Sequence, residues 1–404
     1  MSSFAWLDFS EADRRAALDL IDQFRESDTR DELGLGSVRD TFSDLLFPGT
    51  SAVQTRARYF LIVPWIYKRL EERGTSSADA EKKARDAQIA LIEVLLQSDN
   101  SSGTLGLRAG STLKRLPSEI YWQGLERLGI RQFAGGRAAY HKAFDSFAER
   151  RALRVRTDDG EDIGFAARQN WDVGLPAPPR GFPKECSLAL TGTEASYLSE
   201  RIKRCARDSV MAYLLDQKEA PPEVPFVWQH PALPSFPAAL RATLAHAQAF
   251  SEFMHGASLL YNFMLAERRG EDVIANTFAE RLSNWQQLPL ISGAAAGFWN
   301  RGDFWRAIAA AGGRVPLPTC AFVDRWIDLV QRESGRAIAR SSSAHALVAA
   351  RERALKGAHS RFDNAQALKL WSGASGAGQL DFRWGAIARQ ILIDIHGGMS
   401  QHDA

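Results

Sequence analysis

Eleven cations fall between positions 108 and 156: Arg108, Lys114, Arg115, Arg127, Arg131, Arg137, Lys142, Arg150, Arg151, Arg154 and Arg156. Only four carboxylates share that stretch, Glu119, Glu126, Asp145 and Glu149. Cations clustered in such excess release counterions from a phosphate chain, which gives strong, salt-sensitive binding to nucleic acid. Arginine makes up 40 of the 50 basic residues, and its planar fork suits phosphate better than an ammonium does. Arg154 and Arg156 alternate as residues on one strand face do, in the manner of a wing tracking a backbone. Lys114 and Arg115 would assist from the start of the first helix. The bland alternative is a solvated face balanced by residues 1–47, which hold 11 acids against 5 bases. Tyr121, Trp122 and Tyr140 offer rings that can stack on bases, although aromatic core packing is commoner.

The other chemical patterns are weaker. Four of the eight histidines follow an arginine with four to six residues between: Arg241/His246, Arg340/His345, Arg353/His359 and Arg389/His396. Such a pair can hold a scissile phosphate and move a proton, as in an Arg/His-type ribonuclease. A chain this rich in arginine also produces the spacing by accident. Glu252 and His255 form a single Glu-x-x-His step, where a di-iron bundle needs two. Residues 106–114 lack the Gly-x4-Gly-Lys-Ser/Thr spacing of a phosphate loop, and the glycines of 373–378 miss a nucleophile elbow. Glu81-Lys82-Lys83 lacks the upstream Pro-Asp of a nuclease. Cys186, Cys205 and Cys320 lie too far apart for a zinc site and read as reduced, buried thiols. No catalytic set, metal or cofactor is expected.

The elements that would carry these residues are helical. Ser10 caps an amphipathic helix over 10–26 with Glu11 and Asp13 in its first turn. Ser37 caps a second, with Val38, Phe42 and Leu45 at helical spacing. Pro48-Gly49 makes a turn, and Ser51 with Gln54 reads as a capping box opening a helix to Arg73, kinked at Pro64. Its apolar run, 59–67, is edged by Arg56, Arg58, Lys68 and Arg69 and is half the length that would span a membrane. Another helix covers 78–97. Pro117-Ser118 starts the next, and 137–151 forms one more. Residues 153–156, 158–160 and 163–165 read as strand, turn and strand. Two helices followed by a hairpin is the order of a winged helix.

Four prolines in 174–183 predict a linker, and helices follow to the end. Tryptophans 285, 299, 305, 326 and 384 sit at helical spacing near arginines, which suits a core or a partner interface. The N-terminus is acidic and has no signal-peptide pattern. Composition is that of an ordinary globular protein, 45% hydrophobic and 24% charged.

Several stretches carry a resemblance. They are Phe4-x-Trp6-Leu7-Asp8, Val38-Arg39-Asp40, and the block from Phe47-Pro48-Gly49-Thr50-Ser51 through Arg56-x-Arg58-Tyr59 to Val63-Pro64-Trp65. Leu116-Pro117-Ser118-x-Ile120-Tyr121-Trp122, Gly256-Ala257-x-Leu259-Leu260-Tyr261-Asn262 and Asp381-Phe382-Arg383-Trp384 agree with them. Together they resemble a bacterial domain-of-unknown-function family, number 6361, over nearly the whole chain. The resemblance implies a place among proteins encoded near helicases, phospholipase-D-like nucleases and other anti-phage genes. It carries over no catalytic or binding residue.

The sequence therefore predicts a mainly α, multidomain cytoplasmic protein. A helical domain would cover 1–100, a basic and winged-helix-like segment with a short β-hairpin 101–173, a linker 174–186, and a second helical domain 187–404. The expected function is a non-catalytic, nucleic-acid-contacting component of an anti-phage system, with DNA before RNA and a helicase or nuclease as partner. The binding set would be Arg108, Lys114, Arg115, Arg131, Arg137, Lys142, Arg150, Arg151, Arg154 and Arg156. A pure scaffold and an Arg/His-type ribonuclease are the alternatives.

Overall fold

A computed structural model describes residues 31–156 (the last six as backbone only), 169–217, 219–293, 299–333 and 338–400. These residues are mainly helical, and none lies in a named strand; one isolated antiparallel bridge joins Arg131 and Trp171. The first helices are α1 (Gly36–Leu46), α2 (Tyr59–Glu72), α3 (Ser77–Leu96), α4 (Pro117–Arg127), α5 (Arg137–Lys142) and α6 (Phe144–Arg156). Then come α7 (Gly192–Cys205), α8 (Val210–Leu215), α9 (Ala238–Arg269), α10 (Asp272–Gln286) and α11 (Pro289–Ser292). The last are α12 (Arg301–Ala310), α13 (Leu317–Arg332), α14 (Ser342–Lys356), α15 (Ala365–Lys369) and α16 (Arg389–Ser400). Among the described residues no helix is long and apolar enough to cross a membrane. The helix expected over 10–26 lies outside the described residues.

The chain forms two compact units, each drawn from separated stretches. One joins residues 43–241 with 383–404. Its centre is α2, whose nine residues Tyr59–Tyr67 are all buried. The helix begins eight residues later than Ser51, and the capping box does not form. Gln54 instead donates from Nε2 to the Gly49 carbonyl at 3.1 Å, and Ser51 Oγ has no partner. Arg56 and Arg58 lead into the helix and point inward. Arg56 is 7% exposed and pairs with Asp394 of α16 at 2.9 Å, while the same carboxylate accepts from the Ala57 amide. Arg58 is 4% exposed and pairs with Glu194 of α7 at 2.7 Å. Glu194 also closes a capping box with Thr191, so one carboxylate starts a helix and neutralises a buried cation. The proline-rich stretch packs on α2: Trp65 donates to the Pro176 carbonyl, and Arg69 to that of Phe182. Arg383 holds a left-handed φ of 71° and donates to Asp44 and to the Thr50 carbonyl, just before a π-helical turn, Trp384–Ala388.

The predicted wing does not form as expected. Residues 153–156 continue α6 instead of opening a strand. The segment 144–153 is rich in helix formers, and Phe144 and Phe147 bury their rings beside Tyr140, so the helix has both propensity and an anchor. The expected turn at 158–160 and second strand at 163–165 lie outside the described residues. The hairpin, and the winged-helix reading built on it, have no support. The expected helix 137–151 is also divided, at Ala143.

The other unit joins residues up to Phe42 with 242–382. Its core is built on α9. Gly256 makes room for the Trp285 ring, which a Cβ there would meet at 2.1 Å. Trp285 donates to the Glu252 carbonyl, and Trp326 to that of Phe253. Polar residues along α9 satisfy the backbone of the glycine-rich loop. Ser251 donates to Leu380 O at 2.7 Å, and Asn262 exchanges hydrogen bonds with Ser375. Glu32 lies buried beneath this loop with Lys356, Arg361 and Ser375. Burial opposes its ionisation, but those donors and the Arg361 charge overcome it and hold the carboxyl at about 2.

Candidate nucleic-acid interface

The basic stretch sits wholly within the first of these units. Ser76 caps α3 by accepting from the Asp79 amide, and Pro117 occupies the first turn of α4, as its fixed φ favours. Between these helices, residues 97–116 form a strapped loop. Thr55 donates to Gly103 O at 2.6 Å, Arg56 to Ser102 O at 2.7 Å, and the Leu105 amide to the Tyr59 hydroxyl at 2.9 Å. Farther along, Arg85 of α3 donates to the carbonyls of Ser111 and Leu113. A Cβ on Gly106 would stand 2.7 Å from Ile92, so only glycine allows this close approach at a φ of 88°.

This scaffold divides the predicted cations. Lys114 and Arg115 are exposed at the end of the loop, and Arg108 is exposed near its middle. Arg127, Lys142 and Arg150 are exposed at or near the ends of α4, α5 and α6, with Arg150 lying over the Phe147 ring at 5.0 Å. Arg131 is not a surface residue. It is 3% exposed, lies 4.7 Å over the Trp122 ring, donates to the carbonyls of Phe133 and Gly135, and pairs with Glu126. Burial depresses its pKa, against the pull of Glu126. Arg137 pairs with Glu119 at 2.6 Å. Arg151, Arg154 and Arg156 belong to α6, and their side chains lie outside the described residues. The alternation argument for Arg154 and Arg156 does not apply to a helix.

The candidate stacking rings are core. Tyr121, Trp122 and Tyr140 are all buried. The Tyr121 hydroxyl accepts from the amides of Thr55 and Arg56 and donates back to Arg56 O, fixing the turn before α2. Tyr140 and Trp171 both donate to Glu71. Burial, then the Glu71 charge, raises the Tyr140 pKa well above its ordinary value. His141 shares a hydrogen bond with Tyr67, and burial pushes its imidazole down to about 4.

Several of the remaining sequence candidates have structural partners, whereas His255 Nε2 is buried without one. His246 Nδ1 accepts from Trp299, His345 faces the Ala339 carbonyl, and His396 faces that of Leu214. Arg353 is held by both oxygens of Asp363, and Arg389 donates to Pro222 O. Glu252 accepts from Gln248, while burial and the Arg281 charge bring His255 to about 4. Among the described residues no group of three or more His, Cys, Asp or Glu is placed to hold a metal ion. A half-open recess of 370 Å³ is lined by Leu214, Pro221, Pro222 and His230, and by none of the predicted cations. The sequence reading missed Arg85. Its only signal is a basic residue in a polar helix, and the loop it straps lies more than twenty residues away.

Comparison with protein families matches residues 1–396 to a family described as "Family of unknown function (DUF6361)". No curated protein and no solved structure matches the chain. With that coverage, the chain belongs to the DUF6361 family.

Proposed function

We propose that this DUF6361 member is a non-catalytic component of a bacterial anti-phage system, acting in the cytoplasm by contacting nucleic acid, DNA before RNA. The carrying observation is the group Lys114, Arg115, Arg127, Lys142 and Arg150, exposed on one unit. Two of the four nearby acids, Glu119 and Glu126, are engaged by Arg137 and Arg131. The others are Asp145 and Glu149, of which Asp145 accepts from the Ser77 amide. The cations outnumber the carboxylates left to them, and phosphate contact by such groups needs no pocket. Retention on DNA at about 50 mM salt tests the reading. Wild type should be retained, and Lys114→Ala with Arg115→Ala should weaken retention and flatten its salt dependence. No retention of wild type would leave the reading without support.

A scaffold for a helicase or nuclease is the second reading. It is favoured by Arg131 and Arg137, whose engagement with carboxylates is what an architectural role requires. Co-purification with such an enzyme, without DNA retention, would decide for it.

A further inference from the structure

Leu107 is 59% exposed at the middle of the strapped loop, while Leu105 and Leu113 on the same loop are half-buried. An apolar side chain held in solvent by a rigid loop is unlike one carried on a mobile tip. Hydrogen bonds donated by Thr55 and Arg56, and one accepted by the Tyr59 hydroxyl, fix the chain before it, and those donated by Arg85 fix the chain after it. The Gly110 amide donates to Gly106 O at 2.8 Å, closing a turn around Leu107 itself. Lys114 and Arg115 stand exposed at the end of the same loop, and Arg108 is its immediate neighbour. The loop thus presents one apolar contact and, along the same stretch of chain, exposed cations, on a backbone that loses little freedom when it binds.

We infer that this loop is a contact for single-stranded nucleic acid, with Leu107 seated on an unstacked base and Lys114 and Arg115 on the flanking phosphates. The inference rests on the nucleic-acid reading above and narrows it. Every base has an apolar face, so such a contact is sequence-tolerant. A duplex would have to unstack a step to admit the side chain. Burying one leucine returns no more free energy than that unstacking takes, so a strand already open is the preferred partner. A lone leucine is also too small an apolar surface to anchor a protein in a bilayer. The phosphates therefore belong to a strand and not to a lipid surface.

The test is fluorescence anisotropy of the full-length protein against a labelled 20-nucleotide single strand, the duplex of the same sequence, and vesicles containing phosphatidylserine. Wild type should bind the single strand more tightly than the duplex. Leu107→Ala should weaken single-strand binding several-fold, leave duplex binding unchanged and leave the salt slope unchanged, because it removes no charge. Lys114→Ala with Arg115→Ala should weaken binding to both and reduce the single-strand salt slope by roughly 1.4. A circular-dichroism melt confirms that each variant folds. If Leu107→Ala leaves single-strand affinity intact while the double variant loses it, the loop inference is overturned and the wider nucleic-acid reading survives. A duplex bound as tightly as the single strand, or vesicles bound through Leu107, also overturns it. If wild type binds neither strand nor duplex at low salt, both readings fall together.

Discussion

Two basic pairs in one unit, Arg56 with Arg58 and Lys114 with Arg115, look alike in sequence and end in opposite surroundings. The first pair stands beside the most apolar helix of the chain and reads as a wet margin. It is buried, because Asp394 and Glu194 arrive from 338 and 136 residues away to meet it. The second pair stands in a polar loop, remains exposed, and among the described residues has no carboxylate brought to it in an ion pair. Local texture does not separate these outcomes. What separates them is whether the fold delivers a distant carboxylate, because a buried guanidinium without one would face an uncompensated desolvation cost.

Breaking the buried pair should give the largest effect. Arg56→Ala leaves Asp394 buried without its cation and should lower unfolding free energy by about 3–5 kcal/mol, read from chemical denaturation. Arg56→Lys should recover only part of that, because an ammonium cannot fork between Asp394, Asn100 and the Ser102 carbonyl.

The buried Glu32 cluster sharpens the same contrast through pH. Its folded pKa is lowered from 4.5 to about 2. The stability it supplies is therefore complete above about pH 4.5 and lost as pH falls toward 2. That contribution is on the order of 2–3 kcal/mol. Glu32→Gln should lower stability at neutral pH and flatten its decline over that acid window, read from melts across pH.

Arg131 tests a member of the predicted binding set that turned inward. Arg131→Ala should cost about 1–3 kcal/mol by leaving buried carbonyls short of a donor. It should leave the salt slope of any DNA binding unchanged. The smallest effect on stability belongs to the exposed pair. Lys114→Ala with Arg115→Ala should leave the melting temperature in place and move only the salt dependence of retention. A large loss of stability there would erase the distinction between the two pairs.

Much of the helical architecture is legible because its signals are local. Ser76 caps α3, Pro117 opens α4, and Thr191 caps α7 with Glu194, and each fixes its helix with residues a few positions apart. The errors have a common cause. Ser51 and Gln54 have the spacing of a capping box, but the turn at Gly49 takes Gln54 for its own carbonyl. Residues 153–156 alternate as a strand would, yet they follow a helix already anchored by Phe144 and Phe147. In both cases a short pattern lost to a neighbouring element with more buried contact. The candidate interface was legible as a charge excess and illegible as a surface. The spacing of Lys114 and Arg115 gave no hint that Arg85 straps their loop, and nothing near Arg131 marked it for burial under Trp122.

The sequence by itself determined that this chain is mainly helical, where several helices begin, and that one stretch carries surplus positive charge. Those properties depend on residues within a few turns of one another. Only the tertiary structure decided which cations are held inside, which stand in solvent, and that residues 43–241 close on 383–404. Burial and ion pairing depend on groups brought together from hundreds of positions apart, and no local pattern records that arrival.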